Sequence, residues 1–212
     1  MDEIIFKKRD FWLAILSGEL VAWLSWPVLK NLKILDILAG FGIGTFSFSV
    51  FWLLFIPAGA IFALYLFFLL ARSKNRPGFF QLGKYGVVGV LNTFMDGGIF
   101  NLLVLITGIA AGWQAIGFRI VSFTVTIINS FFWNKFWTFK AGGEAGGQAV
   151  KFFFISTTVA LINLGIFAVL INVIGAPFGI DIKIWANISI ALTIITAFFG
   201  NFFGYKFIVF KK

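Results

Sequence analysis

The sequence predicts an all-α integral membrane protein with six transmembrane helices, the last four forming two helical-hairpin repeats of parallel topology. Three observations carry this reading. Hydrophobic residues make up 60% of the 212-residue chain and charged residues 12%, with a mean hydropathy of +1.01, a balance that no water-facing surface supports. A hydrocarbon core about 30 Å thick needs roughly 20 apolar residues per helix, and such runs occur at 11–29, 45–71, 83–107, 113–137, 149–174 and 184–208. These unbroken runs lack the short alternating segments of a membrane β-barrel.

The first run follows Lys7, Lys8 and Arg9, as a cleaved signal peptide would. Lys30, Asn31 and Leu32 follow it in place of a small-x-small cleavage site, so an uncleaved signal anchor is expected. Cysteine and histidine are both absent, which excludes disulfides, thiolate metal sites and imidazole chemistry. No cofactor is expected.

Lys and Arg are retained on the cytoplasmic side of a membrane. With the N-terminus inside, the inner segments carry Lys7, Lys8, Arg9, Arg72, Lys74, Arg76, Lys84, Lys135, Lys140, Lys151, Lys206, Lys211 and Lys212, and the outer loops only Lys30, Lys33 and Lys183. Both termini are therefore expected in the cytoplasm of a multi-pass protein of the cell membrane. The +9 net charge reads as a topology signal and an attraction for anionic lipid headgroups. A nucleic-acid partner would need a soluble basic module, for which the chain has no room.

A repeat emerges in the second part of the chain. Residues 84–108 align without gaps on 151–175, matching Lys84 with Lys151, Gly98-Ile99-Phe100 with Gly165-Ile166-Phe167, Leu103 with Leu170, Gly108 with Gly175, and Asp96 with Asn163. With about four extra residues in the second outer loop, KFWTFK (135–140) falls on KFIVFK (206–211). The expected organisation is an N-terminal hairpin over 1–79 and a four-helix domain over 80–212, with repeats 84–140 and 151–211. Each hairpin begins and ends on the cytoplasmic side, so the copies are related by an axis along the membrane normal. The segments 72–83 and 141–150 read as connectors without room for a catalytic domain.

Charged groups at membrane depth are costly and default to functional candidates. Glu19, Asp96 and Arg119 stand out. Asp96 lies about twelve residues beyond Lys84, near the midplane at roughly 1.5 Å per residue. Arg119, near the outer end of the next helix, is placed either to snorkel outward or to reach Asp96. Asn92 and Asp96 share a helix face, with Thr93 beside them. Asn129 and Asn134 follow, then Asn163, Asn172, Asn187 and Asn201 in the second hairpin. Amides and carboxylates suit sugar hydroxyls, although interhelical hydrogen bonding uses the same residues. Lys84, Lys135, Lys151 and Lys206 either anchor helix ends beside anionic lipids or, if they converge, hold a headgroup phosphate. Trp133 and Trp137 fit an interfacial aromatic belt.

KYGVVGVLNTFMDGGIFNLL (84–103) and INSFFWNKFWTF (128–139) together resemble the GtrA-like family of small membrane proteins. The first has the basic or aromatic start, VG, NT and then Asp three residues later; the second has the Ser-Phe, Asn-Lys and Trp-Thr-Phe ending. The likeness covers about residues 80–212 and leaves the first two helices outside. It implies a role in cell-surface polysaccharide or glycoconjugate synthesis, through transfer of a polyprenyl-phosphate-linked sugar across the cytoplasmic membrane. It also implies work beside a membrane glycosyltransferase, because related four-helix regions occur fused to enzymes making polyprenyl-phosphate sugars. The motif residues carried over are Asn92, Thr93, Asp96, Asn134 and Lys135.

The leading expectation is a translocase for such a lipid-linked sugar. Asn92, Thr93, Asp96, Arg119, Asn129, Asn134, Lys135, Asn163, Asn201 and Lys206 are its candidate substrate-binding residues, and Lys84 and Lys151 its headgroup-phosphate ligands. The nucleotide-binding pattern GxxxxGK[ST] is absent, so movement would be passive or gradient-coupled. A noncatalytic anchor or regulator of a glycosyltransferase is the alternative, and a proton-coupled drug exporter using Glu19 a more distant one. An enzyme is least supported: the acids are dispersed, and Asp181-Ile182-Lys183 lacks the second Asp of a metal-binding DxD. Small size and the incomplete enclosure offered by four helices lead us to expect a homo-oligomer.

Overall fold

A computed structural model describes residues 4–138 and 145–204, with side chains throughout except at 145–153, 155, 195 and 197–204. The described residues are mostly helical: α1 (Lys8–Asn31), a short α2 (Ile34–Gly40), α3 (Thr45–Ser73), α4 (Pro77–Thr107), α5 (Gly112–Trp133), α6 (Ala145–Val169) and α7 (Ile182–Gly204). A wider π turn extends α5 over Asn134–Thr138 and another extends α6 over Leu170–Ile174. No strand occurs among the described residues.

Among the described residues, five helical stretches are long and apolar enough to cross a membrane: Lys8–Asn31, Thr45–Ser73, Pro77–Thr107, Gly112–Thr138 and Ser156–Ile174. The sixth expected run falls on α7, which contributes the shorter apolar stretch Ile182–Ile194. The protein is a polytopic all-α membrane protein.

Two expectations change. The connector 72–83 is mostly helical, because α4 starts at Pro77, whose fixed φ and missing N–H suit a first helical turn; Arg76 before it is extended (φ −129°, ψ 101°). The second connector shortens likewise, since α6 begins at Ala145. The loop after α1 holds α2, which buries no residue and gave no periodic apolar signal.

Helix α4 is the hub, touching α1, α3, α5 and α7, while α6 and α7 pair with each other and α6 also meets α5. We call the end at which α1 and α4 start and α3 and α5 finish the basal end, and the opposite one distal. The surface is inverted relative to a soluble protein: Phe46 and Trp113 are 81% and 83% exposed while Arg119 is fully buried, the pattern expected when the solvent is hydrocarbon. At the distal side a surface ion pair joins Lys33 to Asp181 at 2.9 Å. Its hydrogen bond, helped by the Lys183 N–H, holds the Asp181 carboxyl below its ordinary range and raises the Lys33 ammonium; Lys33 is exposed and Asp181 only half-buried, so this adds little stability.

Without a hydrophobic drive between helices in lipid, close packing decides association. A Cβ on Gly18 would overlap the Pro57 backbone of α3, and one on Gly98 would overlap the Leu24 carbonyl of α1. These two glycines let α1 settle between α3 and α4: Gly18 closes the N-terminal hairpin, and Gly98 fixes that hairpin to α4. Gly18→Ala and Gly98→Ala are each expected to destabilise the fold by about 1–3 kcal/mol, the usual cost of overpacking. Gly59→Ala, where nothing lies within 4 Å of the added carbon, should be neutral or stabilising. Thermal unfolding in detergent checks this, and equal behaviour of the three variants would refute the packing account.

Candidate functional site: a polar ladder between α4 and α5

Four polar groupings climb α4 from the basal to the distal end, and three of them bridge to α5. Lys84 to Asn101 is seventeen positions, roughly 26 Å of rise at about 1.5 Å per residue, most of a hydrocarbon core.

The basal rung is built around Asp10 of α1. Its carboxylate forms an ion pair with Lys84, accepts the indole N–H of Trp137 at 2.9 Å, and receives the Lys7 backbone N–H at 3.1 Å. All three side chains are buried, and the Lys84 ammonium lies 4.3 Å from the Phe80 ring centroid. Trp137 reaches this point from the π turn ending α5, where the wider backbone also buries Asn134 and Thr138.

One level up, Asn92 donates to Ser130 Oγ at 2.9 Å and accepts from Asn129 at 3.0 Å. Asn134 donates to the same Ser130 oxygen at 3.3 Å. Among the described residues, Asn134 Oδ1, Thr138 Oγ1 and Thr126 Oγ1 are buried without a hydrogen-bond partner. Buried polar atoms are rarely left so in a purely structural interface.

The third rung holds the intramembrane charges. Arg119 Nη1 donates to Asp96 Oδ2 at 2.8 Å, and Ser122 Oγ to Asp96 Oδ1 at 2.6 Å. Around the guanidinium stand the rings of Phe123, Phe167 and Phe100, at 4.0, 5.2 and 5.9 Å to their centroids, whose faces attract a cation. Arg119 Nε and Nη2 have no hydrogen-bond partner among the described residues. Of the two directions open to Arg119 from the sequence, the chain takes the inward one.

The distal rung is an amide trio. Asn31 donates to Asn101 Oδ1 at 2.8 Å, and Asn101 and Asn187 exchange hydrogen bonds at 2.8 Å each, tying α1, α4 and α7 together.

The remaining sequence candidates lie apart from this ladder. Thr93 is exposed and bonds the Gly89 carbonyl of its own helix at 3.0 Å. Lys135 is exposed, its ammonium 5.4 Å from the Phe131 ring, as a snorkelling side chain would be. Asn163 accepts from Thr196 at 3.0 Å inside the second hairpin, and Asn172 caps the start of α5 by accepting the Gly112 N–H at 2.8 Å. Glu19 is half-buried on α1 and forms no ion pair among the described residues. Lys206 lies outside the described residues, as do the side chains of Lys151 and Asn201. Sequence reasoning missed Asp10, which looked like part of a solvated charged start, and the hydroxyls of Ser122, Thr126 and Ser130. Those hydroxyls recur with Arg119 and Asn129 at helical spacings of three and four, a signal that was available.

Residues 84–210 match the family described as GtrA/DPMS, transmembrane domain. The chain belongs to this family. The match starts at Lys84 and takes in the α4–α5 ladder, but leaves out Asp10 and the whole N-terminal hairpin. Among curated proteins, the chain is similar to the uncharacterized membrane protein YngA of Bacillus subtilis (strain 168), 40% identical over 67 residues that cover 30% of this chain and 42% of that protein. The chain thus spans less than half the length of this relative. No solved structure matches it.

Removing one member of a buried ion pair strands the other charge and costs about 3–5 kcal/mol. Asp96→Asn and Arg119→Met should each destabilise the protein on that scale, and the double variant by clearly less than the sum of the two. A double-mutant cycle from unfolding in detergent measures the coupling; additive losses would show that the pair is not energetically joined.

Proposed function

We propose that this GtrA/DPMS-family protein moves a polyprenyl-phosphate-linked sugar across the cytoplasmic membrane for cell-surface polysaccharide or glycoconjugate synthesis. The observation that carries the reading is the run of polar rungs along α4 and α5, including buried donors and acceptors that have no partner among the described residues. A phosphosugar crossing hydrocarbon must exchange its water for other polar contacts at every depth, and these side chains are spaced to provide them while the prenyl tail stays in lipid. In this reading the basal end is cytoplasmic, as the distribution of Lys and Arg suggests. Asn92, Asn129 and Asn134 meet sugar hydroxyls, and the spare Arg119 donors meet the phosphate nearer the outer face. Lys135 and, in the second hairpin, Lys151 and Lys206 gather anionic headgroups.

The repeat supports a two-hairpin machine. Phe100 and Phe167, equivalent in the aligned registers, meet edge-to-face at 5.4 Å, as residues beside a pseudo-twofold axis do. Gly108 and Gly175, also equivalent, both end their helices at positive φ (75° and 67°). Asp96 has Asn163 as its counterpart, so the first hairpin keeps the charge and the second a neutral analogue.

One observation favours a second reading, a membrane anchor or regulator of a polyprenyl-phosphate glycosyltransferase. Arg119 is wholly enclosed, and its pair with Asp96 serves a static bundle as well as a moving one.

Purified protein in liposomes with a fluorescent polyprenyl-phosphate sugar separates the two. Transport predicts equilibration of the probe between leaflets, abolished by Asp96→Ala and slowed at least tenfold by Asn92→Leu, which removes a rung without changing charge. Well-folded protein that moves no lipid, but copurifies with a glycosyltransferase, would establish the anchoring role instead.

A further inference from the structure

Helix α1 carries an intramembrane acid that the ladder does not use. Glu19 stands eleven positions after Lys8 and twelve before Asn31, so at roughly 1.5 Å per residue it lies at the middle of the helix, inside hydrocarbon. Trp12, Leu16, Glu19 and Trp23 follow one another at spacings of four, three and four and form one stripe along α1. The helix packs its other sides against α3 and α4. Trp12, Leu16 and Trp23 are 59%, 47% and 65% exposed, and Glu19 is half-buried between them. The stripe looks outward, into lipid.

Two polar groups on this stripe need partners that hydrocarbon cannot supply. Glu19 has no hydrogen bond or ion pair among the described residues, and a carboxyl at that depth requires one in either protonation state. The indole N–H groups of Trp52, Trp137 and Trp185 donate to Ser25 Oγ, Asp10 Oδ1 and the Leu170 carbonyl at 2.7, 2.9 and 2.9 Å. Trp23 donates to none of the described residues, although it lies eight positions inside the distal end of α1, deeper than the interfacial belt where an exposed indole meets water. Four positions further on, Pro27 interrupts the helix; it has no N–H, so the Trp23 carbonyl also loses its usual i+4 donor.

We infer that this stripe is the contact surface for a second copy of the chain, α1 against α1 about a twofold axis along the membrane normal, with the Glu19 carboxyl of each copy accepting the Trp23 indole N–H of the other. Copies inserted in one orientation present α1 in parallel and at equal depth. A twofold contact is self-complementary, so an acceptor and a donor on the same stripe meet each other twice. Glu19 and Trp23 are about one helical turn apart, a separation that two long side chains span where helices cross. Polar side chains of this kind hold helices together in lipid, and Trp12 and Leu16 continue the contact towards the basal end as apolar packing. The second copy is favoured over an unrelated helix because this chain itself carries both halves of the bond. The surface belongs to the N-terminal hairpin, outside the family-matched residues 84–210.

Association is measured without any lipid substrate, so it stands or falls separately from the transport reading. The full chain carries donor or acceptor dyes on a cysteine replacing the exposed Gly40, where an added side chain meets nothing within 4 Å. Energy transfer between copies in liposomes is followed as lipid dilutes the protein. Wild type should associate, Glu19→Leu should need at least tenfold more protein per lipid to do so, and Glu19→Gln, which keeps a hydrogen-bonding side chain, should stay within threefold of wild type. Phe62→Leu, on the outward side of α3 and 64% exposed in the wild type, should change nothing. A wild type that is monomeric at every dilution, or a folded Glu19→Leu that associates as wild type does, overturns the inference. Monomeric wild type retained by a different membrane protein in a Glu19-dependent way overturns it too and gives the surface to that protein. Should Glu19→Leu fail to fold, Trp23→Phe removes only the N–H end of the ring system: a threefold or larger loss of association supports the contact, and no loss overturns it.

Discussion

A carboxylate and a guanidinium held together inside hydrocarbon constrain everything around them. Two charges at that depth persist only if they are paired and their remaining hydrogen-bonding atoms are accommodated. Asp96 and Arg119 meet on facing helices, Ser122 serves the second carboxylate oxygen, and three phenylalanine rings surround the cation. This fixes the register of α4 against α5. It also requires Phe167 of α6 to close over the guanidinium from the second hairpin, so a single ion pair helps place three helices.

The other rungs extend the same logic along α4. Each is a set of polar atoms that lipid cannot satisfy, so each must find a partner across a helix interface, and the partners determine which helices pack. The Asn31–Asn101–Asn187 trio draws α1 and α7 onto the hub at the distal end, and Asp10 draws α1 onto it at the basal end. The N-terminal hairpin lies outside the family-matched region, yet it is bound to the family domain at both ends by buried polar contacts and along its length by the close approach of Gly98 to Leu24. Its attachment is part of the fold's construction.

Much of the architecture was legible because a bilayer makes strict demands. The apolar runs gave α1, α3, α4 and α5 nearly in full, and Asn92 and Asp96 were recognisable as misplaced polar residues on one face. Asp10 was not, because it sits next to Lys8 and Arg9, where a charge reads as solvated; its burial depends on Lys84 and Trp137, which are distant in sequence. The inward turn of Arg119 was equally undecided, since a long side chain near a helix end can snorkel, and only the position of α5 beside Asp96 resolves it. Thr93 shows the converse. It belongs to the NT motif and adjoins Asn92, but the rotation of about 100° per residue along a helix turns it away from the interface. Short helix α2 carried no periodic signal because it buries nothing.

The central claim is that the α4–α5 interface is a polar path that opens to water and headgroups, and is more than a set of structural bonds. The absence of native cysteine permits a direct measurement: single cysteines at Asn92, Thr126, Ser130 and Asn134, and at the lipid-facing Val90, Leu102 and Ile120, challenged in proteoliposomes with a membrane-impermeant, charged thiol reagent. The account predicts labelling at the four ladder positions, accelerated by a polyprenyl-phosphate sugar, and inertness at the three lipid-facing ones. Equal inertness at all seven in folded protein would contradict it and leave the ladder as interhelical packing.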